Sequence, residues 1–459
     1  MCKSPLVVIT GIIVLLTLNS CKKYLGEKSN AKFAVIESLN ELQLLLNGYG
    51  NWNNNSYPYG SELMTDDYYV STADFNNPGI LQMQRDSYIF QDNLQTNAIW
   101  DASYRQISQA NLILAELGLL EYGKEQEELA NNIKGSSLFY RGYFHYAIAQ
   151  LFCEPYNAST AKQDLGIPIR LTPDDEEKSV RLSVQDTYDR ILQDLKDASY
   201  LLPIDQLYKT RPAKAAVHGV LAKIYLSMSV YDSAWKYANM CLGYNDSLLN
   251  FNIKAEVDTG ASAPFRRFNK EVIFHMKSQA NTLMSNARAK VDSTLYSSYE
   301  VNDLRRVAYF RQNADKTYQF KGDYDGSGTN TGYCYSGIVT DEMYLIRAEC
   351  YVRKGNISAG LQDLNKLLQS RWRTGTYTSF AAANQQEALE KILMERRKEL
   401  HRRGARWTDI RRFRNDPLYA ITVTRNVNNQ TYVLTPSHKR HVFLIPGNVI
   451  ALSGIQQNP

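Results

Sequence analysis

Two segments of the chain place small and aromatic residues at the spacing of paired antiparallel helices. The residues are Leu221, Ala222, Tyr225 and Ala234 in the first segment, and Ala348, Tyr351, Gly360, Leu364 and Leu367 in the second. In such a pair the small residue lets the helices approach closely, and the ring fills the space beside it. The spacing therefore predicts tetratricopeptide-like helical pairs, the second with its turn at 355–356.

Helical periodicity extends well beyond these pairs. Ser38 and Glu41 form a capping-box pattern before an apolar run, and amphipathic patterns cover about 97–117, 125–152 and 184–202. Between them, 47–60 and 322–337 are rich in Gly, Asn, Ser and Tyr without periodicity, which is typical of loops. We expect a mostly α fold of helical pairs with an irregular loop-rich lobe and a few short strands.

The first residues have the pattern of a secretory signal that ends in a lipidation site. Lys3 precedes an apolar run of fourteen residues, and Leu18 and Ser20 stand three and one residues before Cys21. The run is shorter than the roughly 20 residues of a membrane span. The pattern looks like a bacterial lipobox, so we expect acylation of Cys21 to tether the protein to a bilayer. The alternative is an ordinary signal peptide with a chance cysteine.

These patterns divide the chain into five segments. We expect a signal peptide at 1–20, a lipid anchor and linker at 21–36, and an N-terminal helical region at 37–242. An irregular lobe is expected at 243–340, and a C-terminal region with the second helical pair and a tail at 341–459.

Cysteine usage and charge argue against several classes of protein. After Cys21 the four remaining cysteines are scattered without a CxxC pair, which indicates neither a zinc site nor a disulfide framework. We expect those in apolar helical stretches to be buried free thiols. A net charge of +5 is too small to imply a nucleic-acid partner. We expect no metal and no cofactor.

The segment 391–414 is the most basic part of the chain, with ten Lys or Arg residues. Glu395, Glu399 and Asp409 are interleaved with them at the spacing of helical ion pairs. We therefore expect a structural, salt-bridged surface here, with a phosphate or nucleic-acid patch as the alternative.

Two acidic patterns could suggest catalysis or calcium binding, but each lacks a feature that the chemistry requires. Asp66 and Asp67 are adjacent, so in an extended chain they point to opposite faces, whereas glycoside hydrolysis needs carboxyls facing each other about 5–9 Å apart. Asp323 opens a faint calcium-loop pattern, but Cys334 stands where the bidentate Glu is required. The chain also lacks GxSxG and HExxH motifs. We expect a protein that is not an enzyme.

Several blocks, in order along nearly the whole mature chain, resemble the SusD/RagB family. They are the lipobox with Cys21, 62–68 (ELMTDDY), 100–111, 141–144 (RGYF), 151–156, 165–168 (LGIP), 342–349 (EMYLIRAE), 395–400 (ERRKEL), 404–412, 445–446 and 457–459. The chain departs from the family pattern at 401–403, where an acidic residue is more usual before the Gly, and it lacks an acidic tag after Cys21.

The resemblance implies both a fold and a function. It implies a tetratricopeptide-like helical domain with an irregular ligand lobe, on the outer membrane and facing the extracellular side. The expected partner is a SusC-like TonB-dependent transporter, and the expected cargo is an oligosaccharide or, in RagB-like branches, a peptide. The runner-up is a helical-repeat scaffold without a small ligand.

Loop aromatics are the candidate ligand contacts, because sugar rings can rest on amphipathic aromatic rings while polar side chains satisfy their hydroxyls. The chain holds thirty-two tyrosines. The candidates in and near the first loop are Trp52, Asn53, Tyr57, Tyr59 and Tyr68, and those in the second are Tyr324, Tyr333 and Tyr335. The alternative is that these rings pack against helices or contact the transporter.

Overall fold

Helices dominate the computed structural model, which confirms the mostly α architecture. The structure describes residues 36–54, 56–92, 94, 96–328 and 332–459. The predicted signal peptide and the lipidation of Cys21 lie outside these ranges and stay predictions. Within the described residues, no helix is both long enough and apolar enough to cross a membrane.

The N-terminal half is built on long helices joined by short ones. The helices are α1 (Leu39–Leu46), α2 (Tyr49–Trp52), α3 (Gly60–Leu63), α4 (Thr72–Phe75), α5 (Gln82–Tyr88), α6 (Asn97–Leu117), α7 (Glu127–Phe152), α8 (Val184–Leu201), α9 (Lys214–Ser227) and α10 (Tyr231–Tyr244). The predicted capping box begins α1: the Glu41 N–H donates to Ser38 Oγ, and the Ser38 N–H donates to Glu41 Oε2. Helices α6, α7 and α8 pack consecutively against one another and bury α7 along most of its length.

The C-terminal half holds shorter helices. They are α11 (Ser293–Ser297), α12 (Arg305–Tyr309), α13 (Thr340–Arg353), α14 (Ile357–Gln369), α15 (Gln385–Glu399), α16 (Ala405–Arg412) and α17 (Gly447–Ser453). Both predicted helical pairs are confirmed, as α9 with α10 and as α13 with α14. A β-carbon added at Gly360 would lie 2.5 Å from Val352 Cγ2 and 2.8 Å from the Ala348 carbonyl oxygen, so the small residue is required by close packing.

The strands form short, separate antiparallel pairs. They are β1 (Tyr68–Tyr69) with β5 (Lys290–Val291), β2 (Leu165–Pro168) with β3 (Arg181–Ser183), β4 (Val272–Phe274) with β8 (Ile338–Val339), β6 (Phe310–Gln312) with β7 (Tyr318–Phe320), and β9 (Val423–Val427) with β10 (Gln430–Leu434). Pairs β1–β5, β4–β8 and β6–β7 hold much of the segment between α10 and α13 in place. That segment has its own apolar cluster, which includes Phe251, Tyr309 and Phe310.

A buried ionic cluster joins this lobe to the C-terminal helices. The Arg305 guanidinium of α12 lies 2.7 Å from Asp303 Oδ2, 2.5 Å from Glu395 Oε2 and 2.9 Å from Glu399 Oε2. Arg371 reaches Glu399 at 2.7 Å. All these side chains are buried.

The basic segment 391–414 is therefore salt-bridged as predicted, but the expectation of a surface was wrong. Its pairs are mostly internal: Arg396 contacts Asp409 at 3.0 Å, and Arg412 contacts Glu349 at 2.6 Å. The segment lies where α15 and α16 meet both the lobe and the helical pairs, so its charges find their partners inside the protein. The four described cysteines are buried free thiols, as expected for those in apolar helices.

Candidate functional site

The two tyrosine-rich loops lie on either side of a single extended segment, 275–279. The Lys277 N–H donates to the Asn53 carbonyl at 2.8 Å, and the Gln279 N–H donates to the Tyr57 carbonyl at 2.8 Å. On the opposite side, Lys277 forms a β-bridge with Tyr335. The two loops, some 270 residues apart in the chain, are thus brought together. Their contacts with 275–279 are made by backbone atoms, and most of their aromatic rings are directed into the protein.

The candidates of the first loop are largely buried. Trp52 is 1% exposed, stacks on Tyr140 with ring centroids 4.4 Å apart, and donates its indole N–H to the Leu45 carbonyl at 2.9 Å. The Asn53 amide donates to the carbonyls of Thr210 and His275. These side chains anchor the loop on the helices and offer no free ring face in this conformation.

The tyrosines around that loop are also packed. Tyr57 is half-buried against Tyr143, while Tyr59 and Tyr68 are buried. The Tyr68 hydroxyl donates to the Leu63 carbonyl at 2.9 Å.

The candidates of the second loop surround buried charges. The Tyr324 hydroxyl donates to Glu271, and Tyr335 packs edge-on against His275. Tyr333 is buried too, but it borders a cavity and donates to the carboxylates of Asp323 and Asp325. The assignment of ligand contacts to the eight loop residues stays a prediction; the structure gives them packing roles.

Exposed aromatic surface is found instead beside the hairpin β6–β7. Tyr296, in α11, and Tyr318, in β7, are half-buried and stack with ring centroids 3.5 Å apart at an interplanar angle of 16°. Asp292 caps α11 by accepting from the Leu295 N–H at 2.8 Å, which fixes the helix immediately after β5. Tyr69, at the outer face of β1, is 38% exposed and pairs with Lys290 of β5. We call Tyr69, Tyr296 and Tyr318 the tyrosine platform.

Polar side chains surround the tyrosine platform. Arg306 Nε donates to the Tyr296 hydroxyl at 3.0 Å, and Gln312 Nε2 donates to the Tyr318 hydroxyl at 3.3 Å. Lys290 Nζ lies 3.1 Å from Asp315 Oδ2, and both lie close enough to Tyr69 to influence its pKa. Half-exposed rings ringed by fixed donors and acceptors suit a ligand with apolar faces and hydroxyl edges.

A cavity of about 170 Å³ opens beside the same hairpin. Arg311 and Phe320 reach it from the hairpin, and Asn286, Arg402 and Tyr333 line it from neighbouring segments. The cavity and the platform share the hairpin β6–β7, since Phe320 lines the cavity and Tyr318 belongs to the platform.

A larger open groove of about 720 Å³ lies elsewhere, between α6, the segment 168–179 and α17. Trp100 and Tyr104 form its floor, but Trp100 is buried against Phe152 and the Tyr104 hydroxyl is held by the Pro168 carbonyl. Leu452, on its rim, is 89% exposed. The groove is also lined by charged side chains of both signs, including Arg170, Glu177 and Lys178, and Thr172 Oγ1 donates to Glu177 Oε2 at 2.6 Å.

The acidic motifs weighed in the sequence are engaged in ion pairs. Asp66 accepts from Arg406 Nε at 2.6 Å, and Asp67 accepts from Arg397 Nε at 2.8 Å. These guanidinium groups keep the pKa values of both carboxyls low although burial opposes ionisation. Asp325 lies 3.0 Å from Arg267 and also faces His275 and Lys277. These carboxylates hold segments together. Among the described residues, no group of three or more His, Cys, Asp or Glu is placed to bind a metal ion.

Comparison with known proteins agrees with this architecture. The profile "SusD-like: starch-binding associating with outer membrane" matches residues 23–226, and the SusD family profile matches 340–442. The chain belongs to the SusD/RagB family. "SusD-like protein P2" of Formosa agariphila is 23% identical over 88% of this chain and 90% of its own.

Solved SusD-superfamily structures share the fold. A SusD superfamily protein of Bacteroides thetaiotaomicron has a TM-score of 0.73 at 20% identity, covering 92% of this chain and 100% of its own. A SusD-like carbohydrate binding protein of Bacteroides vulgatus has a TM-score of 0.69 at 21% identity, covering 91% and 97%. Surface glycan-binding protein A of Bacteroides uniformis has a TM-score of 0.72 at 15% identity, covering 92% and 99%.

Little in the sequence indicates the tyrosine platform. Tyr296 and Tyr318 stand in ordinary polar stretches outside the two tyrosine-rich loops. The available signal was the alternation of Tyr68 and Tyr69, since neighbouring residues of a strand point to opposite faces. One of these two had to face outward, and the structure shows that it is Tyr69.

Proposed function

We propose that this SusD-like protein is a lipid-anchored outer-membrane protein that captures oligosaccharides and passes them to a SusC-like TonB-dependent transporter. The observation that carries the proposal is the tyrosine platform, with half-exposed rings and polar side chains at fixed positions. The family match, which describes starch binding in association with the outer membrane, supports the class of ligand and the location.

Stacking on the platform explains how a sugar chain would be held. The apolar face of a pyranose ring rests on a tyrosine ring, whose two rotatable side-chain bonds cost little entropy to order. Lys290, Asp315 and Arg306 stand at the edges, where sugar hydroxyls need partners. Capture of this kind rests on stacking and hydrogen bonds and involves no bond cleavage.

Calorimetric titration tests the proposal. Protein from residue 22 onward, which keeps every described residue, is titrated with neutral and acidic oligosaccharides and with peptides, and each mixture is checked for cleavage products. We expect saturable binding to one class of glycan without products. Tyr318→Ala should weaken it by about 1–2 kcal/mol, or about five- to thirtyfold, as the loss of a central aromatic contact does.

Tyr200→Ala is the matched control, since Tyr200 is 82% exposed on α8 and lies outside the platform. Unchanged affinity in Tyr318→Ala would contradict the platform. Saturable binding of peptides alone would favour the RagB-like alternative. Absence of binding to every glycan and peptide would favour a scaffold, with the groove that carries Leu452 as its protein-contacting surface.

A further inference from the structure

The cavity beside the hairpin β6–β7 has a lining with a marked excess of positive charge. Three basic side chains face it, from Arg311, Lys321 and Arg402, against one carboxyl group, that of Asp323. No ion pair joins any of the three to a carboxylate within the part of the chain that the structure describes. Lys321 Nζ donates to backbone carbonyls at 2.7 and 3.0 Å, and Arg311 donates to Gln319 Oε1 at 3.1 Å.

Arg402 is the distinctive member of this group. It is 6% exposed, and its guanidinium donates to the carbonyls of Met284 at 2.8 Å and Tyr333 at 3.3 Å. Its Nε–H is buried without a partner among the described residues. The residue also adopts a left-handed backbone conformation, with φ of +58°.

A buried guanidinium without a counter-charge is energetically costly. Carbonyl oxygens supply hydrogen bonds but no net negative charge. Arg411 and Arg425 are also buried on carbonyl oxygens, but neither lines this cavity. Their Nε–H groups are likewise unpartnered among the described residues, so Arg402 differs from them by lying on an opening that it shares with two further cations.

The carboxyl groups near Arg402 do not neutralise it fully. Withdrawal of water from the Asp323 carboxyl raises its pKa to about 7, and Tyr333 donates a hydrogen bond to it. Burial likewise raises the pKa of Glu62, on the inner side of Arg402, to about 7. Asp325, next to Asp323, is directed toward Arg267, His275 and Lys277. Three basic side chains against one carboxyl group give the cavity lining an excess of positive charge.

We propose that this cavity binds the anionic group of an acidic glycan, either the carboxylate of a uronic acid or a sulfate ester. The inference rests on the proposed glycan-capture function and specifies its substrate class. The anion lies among the side chains of Arg402, Arg311 and Lys321, which line the cavity, and charge-assisted hydrogen bonds to such cations are among the stronger ones. The neighbouring tyrosine platform holds the adjoining sugar rings.

Free ions test the cavity separately from glycan capture. Sodium glucuronate and sodium sulfate are each compared with sodium chloride at equal ionic strength, and with neutral glucose, by the shift in melting temperature that a bound ligand produces. We expect glucuronate, sulfate or both to stabilise the protein in a saturable manner, and chloride and glucose not to do so. The two salts distinguish the carboxylate from the sulfate source.

Variants then locate the effect. Arg402→Gln should weaken the apparent affinity for the anion more than about tenfold, as expected for a lost hydrogen bond to a charged group. Arg311→Gln alters an exposed side chain that can be replaced without disturbing the core, and it should weaken the affinity about two- to fivefold. Arg373→Gln, which removes an exposed positive charge elsewhere, is the control and should leave the affinity unchanged.

The pH dependence adds a test specific to this cavity. Asp323 loses its negative charge as the pH falls through about 7, so the wild-type affinity should rise between pH 8 and pH 6. Asp323→Asn should bind more tightly than wild type at pH 8 and about equally at pH 6. An affinity that Asp323→Asn leaves unchanged at pH 8 would count against the cavity.

Two further results would overturn the proposal. The first is a melting-temperature shift by glucuronate and sulfate that equals the shift by chloride, or that persists in both Arg402→Gln and Arg311→Gln. The second is equal affinity for an acidic oligosaccharide and its neutral counterpart. Failure of glycan capture itself would appear differently, as absence of binding by all oligosaccharides and no response to Tyr318→Ala.

Discussion

Replacing Arg305 by methionine should lower the free energy of unfolding by about 3–5 kcal/mol, the usual cost of removing one partner from a buried ion pair. The Arg305 guanidinium is fully buried and contacts Asp303, Glu395 and Glu399. Methionine fills a similar volume, so the loss comes mainly from the carboxylates that are left without their cation.

The remaining cations compensate only in part. Lys398 Nζ lies 3.2 Å from Asp303 Oδ2 and 3.1 Å from Glu395 Oε1. Arg371 contacts Glu399 but also contacts Glu271. Lys391 Nζ also lies 3.3 Å from Glu395 Oε1. Four carboxylates, those of Asp303, Glu395, Glu399 and Glu271, then face three cations. One buried negative charge remains unbalanced, so we expect the full cost for a buried pair and not the small cost of a surface pair.

The destabilisation should depend on pH. Although burial opposes ionisation, Arg305 and Lys398 hold the pKa of Glu395 at about 2, below its ordinary value of 4.5. This group contributes stability above pH 4.5 that is lost as the pH falls toward 2. Without Arg305 the pKa of Glu395 rises, and protonation relieves the unpaired charge. The variant should therefore be more strongly destabilised at pH 7 than at pH 4.

Urea unfolding followed by circular dichroism at pH 7 and pH 4 measures both effects. Arg373→Met, at an exposed position, is the control and should change stability by less than about 0.5 kcal/mol. The double variant Arg305→Met with Glu395→Gln should recover at least half of the loss, because it restores the charge balance. A loss below about 1 kcal/mol at pH 7, or no recovery in the double variant, would show that the unpaired carboxylates do not cause the destabilisation.

Two further stability predictions follow from buried groups. Glu62→Gln should raise the melting temperature at pH 8 but not at pH 5. Burial and the nearby Asp67 raise the pKa of Glu62 to about 7, so its ionisation destabilises the fold as the pH rises through that value. An equal effect of the substitution at both pH values would contradict this. Gly360→Ala should cost about 1–3 kcal/mol in urea unfolding, because its β-carbon would meet Val352 Cγ2 at 2.5 Å. Gly243→Ala has no atom within 4 Å and should be neutral or stabilising, so an equal loss in both glycine variants would argue against the packing explanation.

Local features of the fold could be predicted because they are encoded over a few residues. The Ser38 capping box begins a helix as its residue pattern indicates, and the helix Asn97–Leu117 has the bounds that the apolar periodicity indicates. The helical pair around Gly360 could be predicted from the sequence because close packing of two sequential helices requires a small residue at a fixed spacing. Each of these signals depends on neighbours less than about forty residues away.

The side-chain environment of the site could not be predicted in this way. Tyr68 and Tyr69 are equivalent by composition, and only pairing with Lys290 and Val291, more than two hundred residues later, determines which ring is exposed. Glu395 and Glu399 likewise indicated ion pairs, but their partner Arg305 lies far along the chain, so a buried cluster resembled a charged surface. Long-range contacts decided both outcomes.

A crystal structure of the protein with a bound oligosaccharide is the decisive test of capture on the tyrosine platform. We expect sugar rings in van der Waals contact with Tyr318 and Tyr69, with hydroxyls near Lys290 and Asp315. A saccharide bound instead in the groove between Trp100 and Leu452, with the tyrosine platform unoccupied, would contradict it.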